Sequence, residues 1–302
     1  MKGSLMAAAL ALDAVGALAQ APSPKPQPPG PDVLARRVVY ALDGMDRAVR
    51  KQLRYKTADG VSLPMDVYTP PDLKPGEKRP AIVFVHGGPI PPEMEPTEWG
   101  VYRSYGELAA ASGFVGITFK HRLNALADYG RAGEDMAALL ARVRTDAVAL
   151  QLDPDRIALW GFSGGPPLLS VALQRPSPYV RCLVSYYGIL DLRSAPGDPS
   201  TVPEPAATEL SPVVLVGRPG PHPPVLIARA GRDNPRINES VDAFLKASIA
   251  AGVSVDLLTL PDARHGFDAL DDTPRTREVI ERTFAFVARH LREPFPASTA
   301  PR

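Results

Sequence analysis

The sequence predicts an α/β protein, with a mostly parallel central sheet, helices on both faces and a leading antiparallel hairpin. Three observations carry that expectation. Short continuous apolar runs, "AIVFV" (81–85), "FVGITF" (114–119) and "PVLIARA" (224–230), read as strands covered on both faces. Segments with helical spacing alternate with them, and strands joined through helices lie parallel. Ahead of these, "LRYKT", the turn "ADG" and "VSLPMDVYT" alternate apolar and polar residues from Leu53, as a half-buried hairpin does.

The remaining elements follow in order. "PDLKPGEKRP" is loop, and "YGELAAASG" is a short helix that stops at Gly113. "AGEDMAALLARVRTDAVAL" places Met136, Leu139, Leu140, Val143, Ala147 and Leu150 at helical spacing. "RIALWG" is a strand, and "GPPLLSVALQ" is a helix opened by prolines, which a first turn tolerates. "VRCLVSYYG" is the next strand. The proline-, glycine- and alanine-rich segment 188–223 is expected over the C-terminal edge of the sheet as a partial lid. A helix then opens with Asn234 as N-cap and Pro235 behind it, with Ile237, Val241, Phe244, Leu245 and Ile249 apolar and Gly252 closing it. "VSVDLLTL" is the last strand. The final helix has Thr273 as N-cap and an inner face of Val279, Ile280, Thr283, Val287 and Leu291.

Four segments organise the 302 residues. Residues 1–21 read as a signal peptide. Lys2 precedes an Ala/Leu-rich run, and the small residues Ala17, Ala19 and Ala21 place cleavage after Ala19 or Ala21. A secreted or periplasmic protein is therefore expected. Residues 22–52 form a proline-rich linker and an N-terminal extension, in which "VLARRVVYALDGMDRAV" is either a helix broken at Gly44 or an added strand. Residues 53–292 make the catalytic domain, and 293–302 a tail. A formal charge of +1 offers no global field to attract nucleic acid or an anionic membrane. No segment is long and apolar enough to span a bilayer comfortably. The single cysteine, Cys182, sits in an apolar run and reads as a buried small hydrophobe, so no intrachain disulfide forms. Oligomeric state leaves no trace in the sequence.

"GFSGG" (161–165) follows the strand "RIALW" and precedes a helix. Catalysis in open α/β sheets sits at the carboxyl ends of strands. A serine between glycines two residues before and two after is the pattern of a sharp strand-to-helix turn that exposes a nucleophile. The following helix is expected to aim its free N–H groups at the same spot. A serine hydroxyl is a poor nucleophile until a base takes its proton and an acid orients that base.

In strand–serine–helix frameworks of this kind the order along the chain is serine, acid, histidine. Of His86, His121, His222, His265 and His290, only the last two follow a plausible acid. His290 lies at the end of the last helix, where it meets the dipole. His265, in "LPDARHGFD", leaves the last strand at the catalytic edge. Asp233, in "ARAGRDNPR", leaves the preceding one. Asp191 is the reserve acid; Asp256 lies within a strand, and Asp262 is three residues from His265. The oxyanion donors are expected at the Gly164 N–H and in "HGGPI", with Gly88 preferred and Gly87 next to it. His86 reads as a loop-ordering residue.

With "HGGP", "GFSGG", "GRDN" and "ARHGFD" in that order, the chain resembles the α/β-hydrolase superfamily over roughly residues 53–292, and in particular dienelactone-hydrolase-like and related serine esterases. The resemblance implies the α/β-hydrolase fold, with Ser163 as nucleophile, Asp233 as acid, His265 as base, and Gly88 with Gly164 as oxyanion donors. Dienelactone hydrolases carry a cysteine nucleophile where this chain has serine, which favours ordinary carboxylic esters. "HGGP" also occurs in peptidases of the prolyl-oligopeptidase type, so a serine peptidase or amidase is one alternative. A non-catalytic binding protein on the same fold is the other. No metal-ligand spacing and no dinucleotide or phosphate loop is present, so no cofactor is expected and the partner is a small-molecule ester.

Overall fold

The computed structural model describes residues 31–175 and 177–292. The segments expected as signal peptide (1–21), as the first part of the linker (22–30) and as tail (293–302) lie outside the described residues.

A single turn, α1 (Pro31–Leu34), comes first. The hairpin follows, β1 (Val49–Ala58) paired with β2 (Val61–Thr69). Its connection uses Asp59 and Gly60 at φ 52° and 75°, the left-handed pair that Asp-Gly adopts in two-residue turns. β1 starts at Val49 rather than at Leu53. Val49 pairs with Thr69 at a wet sheet edge, where neither face is dry enough to impose alternation. Residues 35–48, read as a helix or a strand, are neither. They run as irregular chain with a 3-10 turn at Met45–Arg47, and they bury Val38 and Met45 in the core.

From there strands and helices alternate. The order is β3 (Arg79–Val85), α2 (Gly100–Ala111), β4 (Val115–Phe119), α3 (Tyr129–Thr145), β5 (Leu152–Phe162), α4 (Val171–Gln174) and β6 (Val180–Tyr186). The second half holds α5 (Glu204–Glu209), α6 (Pro212–Leu215), β7 (Val225–Ala230), α7 (Pro235–Ala250), β8 (Val255–Leu260), α8 (Phe267–Leu270) and α9 (Pro274–Arg292). Eight strands form one sheet in the order β1-β2-β4-β3-β5-β6-β7-β8. β1, β2 and β4 pair antiparallel, and β4 through β8 pair parallel.

The central strands are buried on both faces, which is why they read as unbroken apolar runs. Along β3, Ala81, Val83 and Val85 join the core on the α3 and α7 side, while Ile82 and Phe84 join the core on the α2 and α9 side. Caps set the helix starts. The Asn234 side chain accepts from the Arg236 N–H at 3.0 Å, and Thr273 Oγ1 accepts from the Thr276 N–H at 3.1 Å. The inner face of α7 is Ile237, Val241, Phe244 and Ser248, so Ile249 turns away and stands 81% exposed, contrary to the face read from the sequence.

Two further expectations are corrected. The helix expected at "GPPLLSVALQ" is a 3-10 turn over Pro166–Ser170 followed by the single turn α4. Leu168 N–H bonds to the Gly165 carbonyl, and two successive prolines contribute no donor to an α-ladder. So little aligned backbone leaves no strong dipole to aim at Ser163. The segment 188–223 is not a lid over Ser163. Its Leu190, Leu192, Leu210 and Leu215 are packed into the core on the α3 and α7 side. Among the described residues no helix is long and apolar enough to cross a membrane.

Candidate active site

Ser163 follows the last residue of β5 at φ 54°, a left-handed conformation that costs a side-chain-bearing residue about 1–2 kcal/mol. Three backbone bonds hold it there. Ser163 N–H donates to Tyr186 O (3.1 Å), Gly165 N–H to Phe162 O (2.7 Å), and Ile189 N–H to Ser163 O (2.9 Å). The flanking glycines are needed for space. A Cβ on Gly161 would lie 2.9 Å from Pro166 N, and one on Gly165 would lie 2.5 Å from Val85 O.

Asp233 and His265 arrive on loops leaving β7 and β8. Gly231 N–H donates to Leu260 O (2.8 Å) and Arg232 N–H to Ala263 O (2.9 Å), which fixes one loop against the other. His265 Nδ1 lies 2.8 and 3.0 Å from the two Asp233 oxygens, and His265 Nε2 lies 2.8 Å from Ser163 Oγ. With the proton on Nδ1, the ring donates to the carboxylate and leaves Nε2 to accept from the serine hydroxyl. The Asp233 side chain is 3% exposed and also accepts from the Asn234 N–H at 2.7 Å, while the His265 side chain is 41% exposed. A shielded carboxylate behind a solvent-facing imidazole suits proton transfer at the rim.

The other candidate acids lie elsewhere. Asp191 is held by Arg193 at 2.8 Å, Asp262 by Arg232 at 2.7 Å, and Asp256 faces Arg289 at 3.6 Å. Of the remaining histidines, His222 Nε2 bonds to Arg218 O and His290 stands beside Arg289 on α9. His86 and His121 stack with ring centroids 3.6 Å apart and 7° between planes. His86 Nδ1 bonds to Gly87 O at 2.6 Å, and His121 Nε2 to His86 O at 3.1 Å. Burial holds both rings well below the usual histidine range, His121 at about 4. They order the "HGGP" loop as neutral rings. Cys182 is fully buried, and burial pushes its thiol up.

Gly87 and Gly88 face the serine turn. A Cβ on Gly87 would touch Ser163 Cβ and Oγ, and one on Gly164 would run into the Gly88 backbone. Gly87 N–H is spent on the Tyr102 hydroxyl at 3.0 Å. Among the described residues, neither Gly88 N–H nor Gly164 N–H has a protein acceptor.

Around these groups lies a cavity of about 390 Å³, whose lining includes Ser163, His265, Gly87, Gly88, Ile90, Trp99, Val101, Tyr102, Tyr187 and Leu270. A larger hollow of about 620 Å³ lies behind the His265 loop, but it contains neither Ser163 nor His265 and its wall carries three arginines already paired with acids.

Asp268 was not anticipated. It is fully buried beneath the cavity, three residues after His265. Tyr105 and Tyr187 hydroxyls donate to its two oxygens at 2.8 and 2.7 Å. Burial raises its pKa above the ordinary carboxyl value, against the opposing pull of the tyrosine hydrogen bonds. Tyr187 itself has φ 39°, and its ring lies 4.7 Å from that of His265. The signal was present in "YYG" and "HGFD", but only the folded chain brings positions 105, 187 and 268 together.

Comparison with known proteins places the fold among esterases. The native thermophilic esterase Est2 of the planctomycete Thermogutta terrifontis superposes with a TM-score of 0.65 at 25% identity, covering 81% of this chain and 93% of that one. Its propionate-bound form superposes at 0.66 and 25%, covering 81% and 95%. Gut esterase 1 of Caenorhabditis elegans is 27% identical over 117 residues, 36% of this chain. The chain spans only 20% of that relative's length. The BD-FAE family model matches residues 65–242, more than half of the chain and inclusive of Ser163 and Asp233. The chain belongs to the BD-FAE family, an α/β-hydrolase family of esterases.

Proposed function

We propose that the protein hydrolyses carboxylic esters through an acyl-enzyme formed on Ser163. The observation that carries this reading is the unbroken Ser163–His265–Asp233 hydrogen-bond chain, with its two links at 2.8 Å. The Ser163 hydroxyl gives its proton to His265 Nε2 as Oγ attacks the ester carbonyl. Asp233 holds the Nδ1 proton in place and stabilises the imidazolium that forms. The tetrahedral oxyanion takes the N–H groups of Gly88 and Gly164. One such donor lowers the barrier by about 3 kcal/mol. His265 returns the proton to the departing alcohol, leaving an ester on Ser163. A water, deprotonated by the same ring, attacks that ester and frees the acid.

The carboxylic acid product fits the neighbouring Est2, which is seen with propionate bound. Turnover of p-nitrophenyl acetate tests the reading. Ser163→Ala is expected to lose activity by several orders of magnitude with its melting temperature kept. Residual turnover near that of the unaltered protein would refute it.

A further inference from the structure

We propose that the chain ahead of the catalytic sheet, residues 33–39, is a specificity strap that seats one apolar, uncharged limb of the ester. The inference rests on the catalytic reading above and deepens it. Val33 and Leu34 line the cavity that holds Ser163 and His265. They belong to α1, which lies outside the span matched by the family model, residues 65–242. Several contacts fasten the strap just behind them. Val38 N–H donates to Ser104 Oγ on α2 at 2.9 Å. Val39 N–H donates to the Asp268 carbonyl at 2.8 Å. Arg37 pairs with Glu107 on α2. The Ala35 carbonyl lies so close over Gly100 that a Cβ there would collide with it. Val38 is buried in the core. The strap is thus tied both to α2 and to α8, the turn that follows His265.

The chemistry of the lining names the limb. Val33 and Leu34 share the cavity with Ile90, Trp99, Val101 and Leu270. Among the described residues no lysine or arginine lines it, and the Asp268 carboxyl beneath it is already bonded to two tyrosines. A carboxylate or ammonium on the substrate would therefore enter without a free partner, at a desolvation cost. The volume of about 390 Å³ leaves room for a medium-length chain or a compact branched group.

The test compares esters that differ in one limb, on the full-length protein. Acyl chains from acetate to decanoate are presented as p-nitrophenyl esters, and alcohol chains of matching length as acetates. Val33→Ser with Leu34→Ser is expected to lower kcat/KM for the long members of one series about tenfold and to leave p-nitrophenyl acetate within twofold. Leu34→Trp fills the cavity and is expected to shift the optimum to shorter chains with acetate turnover kept. Profiles parallel to that of the unaltered protein, or an equal loss on every ester including acetate, overturn the strap. Ser163→Ala separates the two claims. If it is inactive while the strap variants keep an unchanged profile, the strap alone fails; if it keeps full activity, the catalytic reading fails first.

Discussion

Gly165→Ala adds one methyl group at the tightest point of the serine turn. Its Cβ would lie 2.5 Å from Val85 O, 2.8 Å from His86 O and 3.0 Å from Phe162 O. All three are backbone carbonyls. Val85 ends the central strand β3, His86 carries the loop that presents Gly88, and Phe162 O already accepts from Gly165 N–H at 2.7 Å. None can swing aside as a flexible side chain would. Overpacking in a well-packed region costs about 1–3 kcal/mol, and three rigid neighbours place this change toward the upper end. At about 2–4 °C per kcal/mol for a domain of this size, the melting temperature is expected to fall by about 5–10 °C. Relief requires the turn and the "HGGP" loop to separate, which moves Ser163 Oγ relative to Gly88. A misplacement near 1 Å costs about a hundredfold in rate. Differential scanning fluorimetry and p-nitrophenyl acetate kinetics read the two effects. A melting temperature within a degree of that of the unaltered protein, with kcat preserved, would refute the close-approach reasoning.

Three further outcomes are expected. Asp233→Asn should cut kcat by about 10⁴, because the imidazole loses the partner that fixes its tautomer; near-normal turnover returns the acid role to Asp191 or Asp262. Asp268 has its folded pKa raised by burial, so its contribution favours the fold below about pH 4, where the unfolded carboxyl is protonated too, and is lost as pH rises through the folded value. Melting curves of Asp268→Asn should therefore move in the variant's favour, relative to the unaltered protein, as pH rises above about 4; a constant offset would contradict this. His121 is the opposite case. Its folded pKa is depressed to about 4 by burial, so its contribution is complete above the unfolded value and lost as pH falls toward 4. His121→Asn should lower stability at neutral pH and flatten the loss on acidification, and a slope as steep as before would count against a buried neutral ring.

The parts of the fold legible in the sequence were those set by periodicity. Strands covered on both faces appear as apolar runs, and α9 shows its inner face because five apolar or small positions recur at helical spacing. Ser163, Asp233 and His265 could be named because each sits just past a strand, and strand ends of a parallel sheet share one rim. What escaped depends on contacts between distant residues. The choice between Gly87 and Gly88 turns on the Tyr102 hydroxyl, which occupies the Gly87 N–H. Asp268 gains its surroundings from Tyr105 and Tyr187, both far away along the chain. Segment 188–223 carries apolar residues with no strong period, and composition alone does not say which face of the sheet they cover. Residues 33–39 read as the start of a helix or an added strand, yet past the single turn of α1 they run irregularly, with Val38 buried and Val33 and Leu34 reaching the cavity. The proline pair at 166–167 has the pattern of a helix start, whereas the chain there tightens into a 3-10 turn.

Rapid-quench mass spectrometry during turnover of a p-nitrophenyl ester examines the covalent step itself. The mass of the acyl group is expected on the peptide that contains Ser163, appearing with the first burst of p-nitrophenol and absent from Ser163→Ala. Steady turnover with no acyl group on that peptide, or with the label on another side chain, would contradict the assignment of Ser163 as the nucleophile.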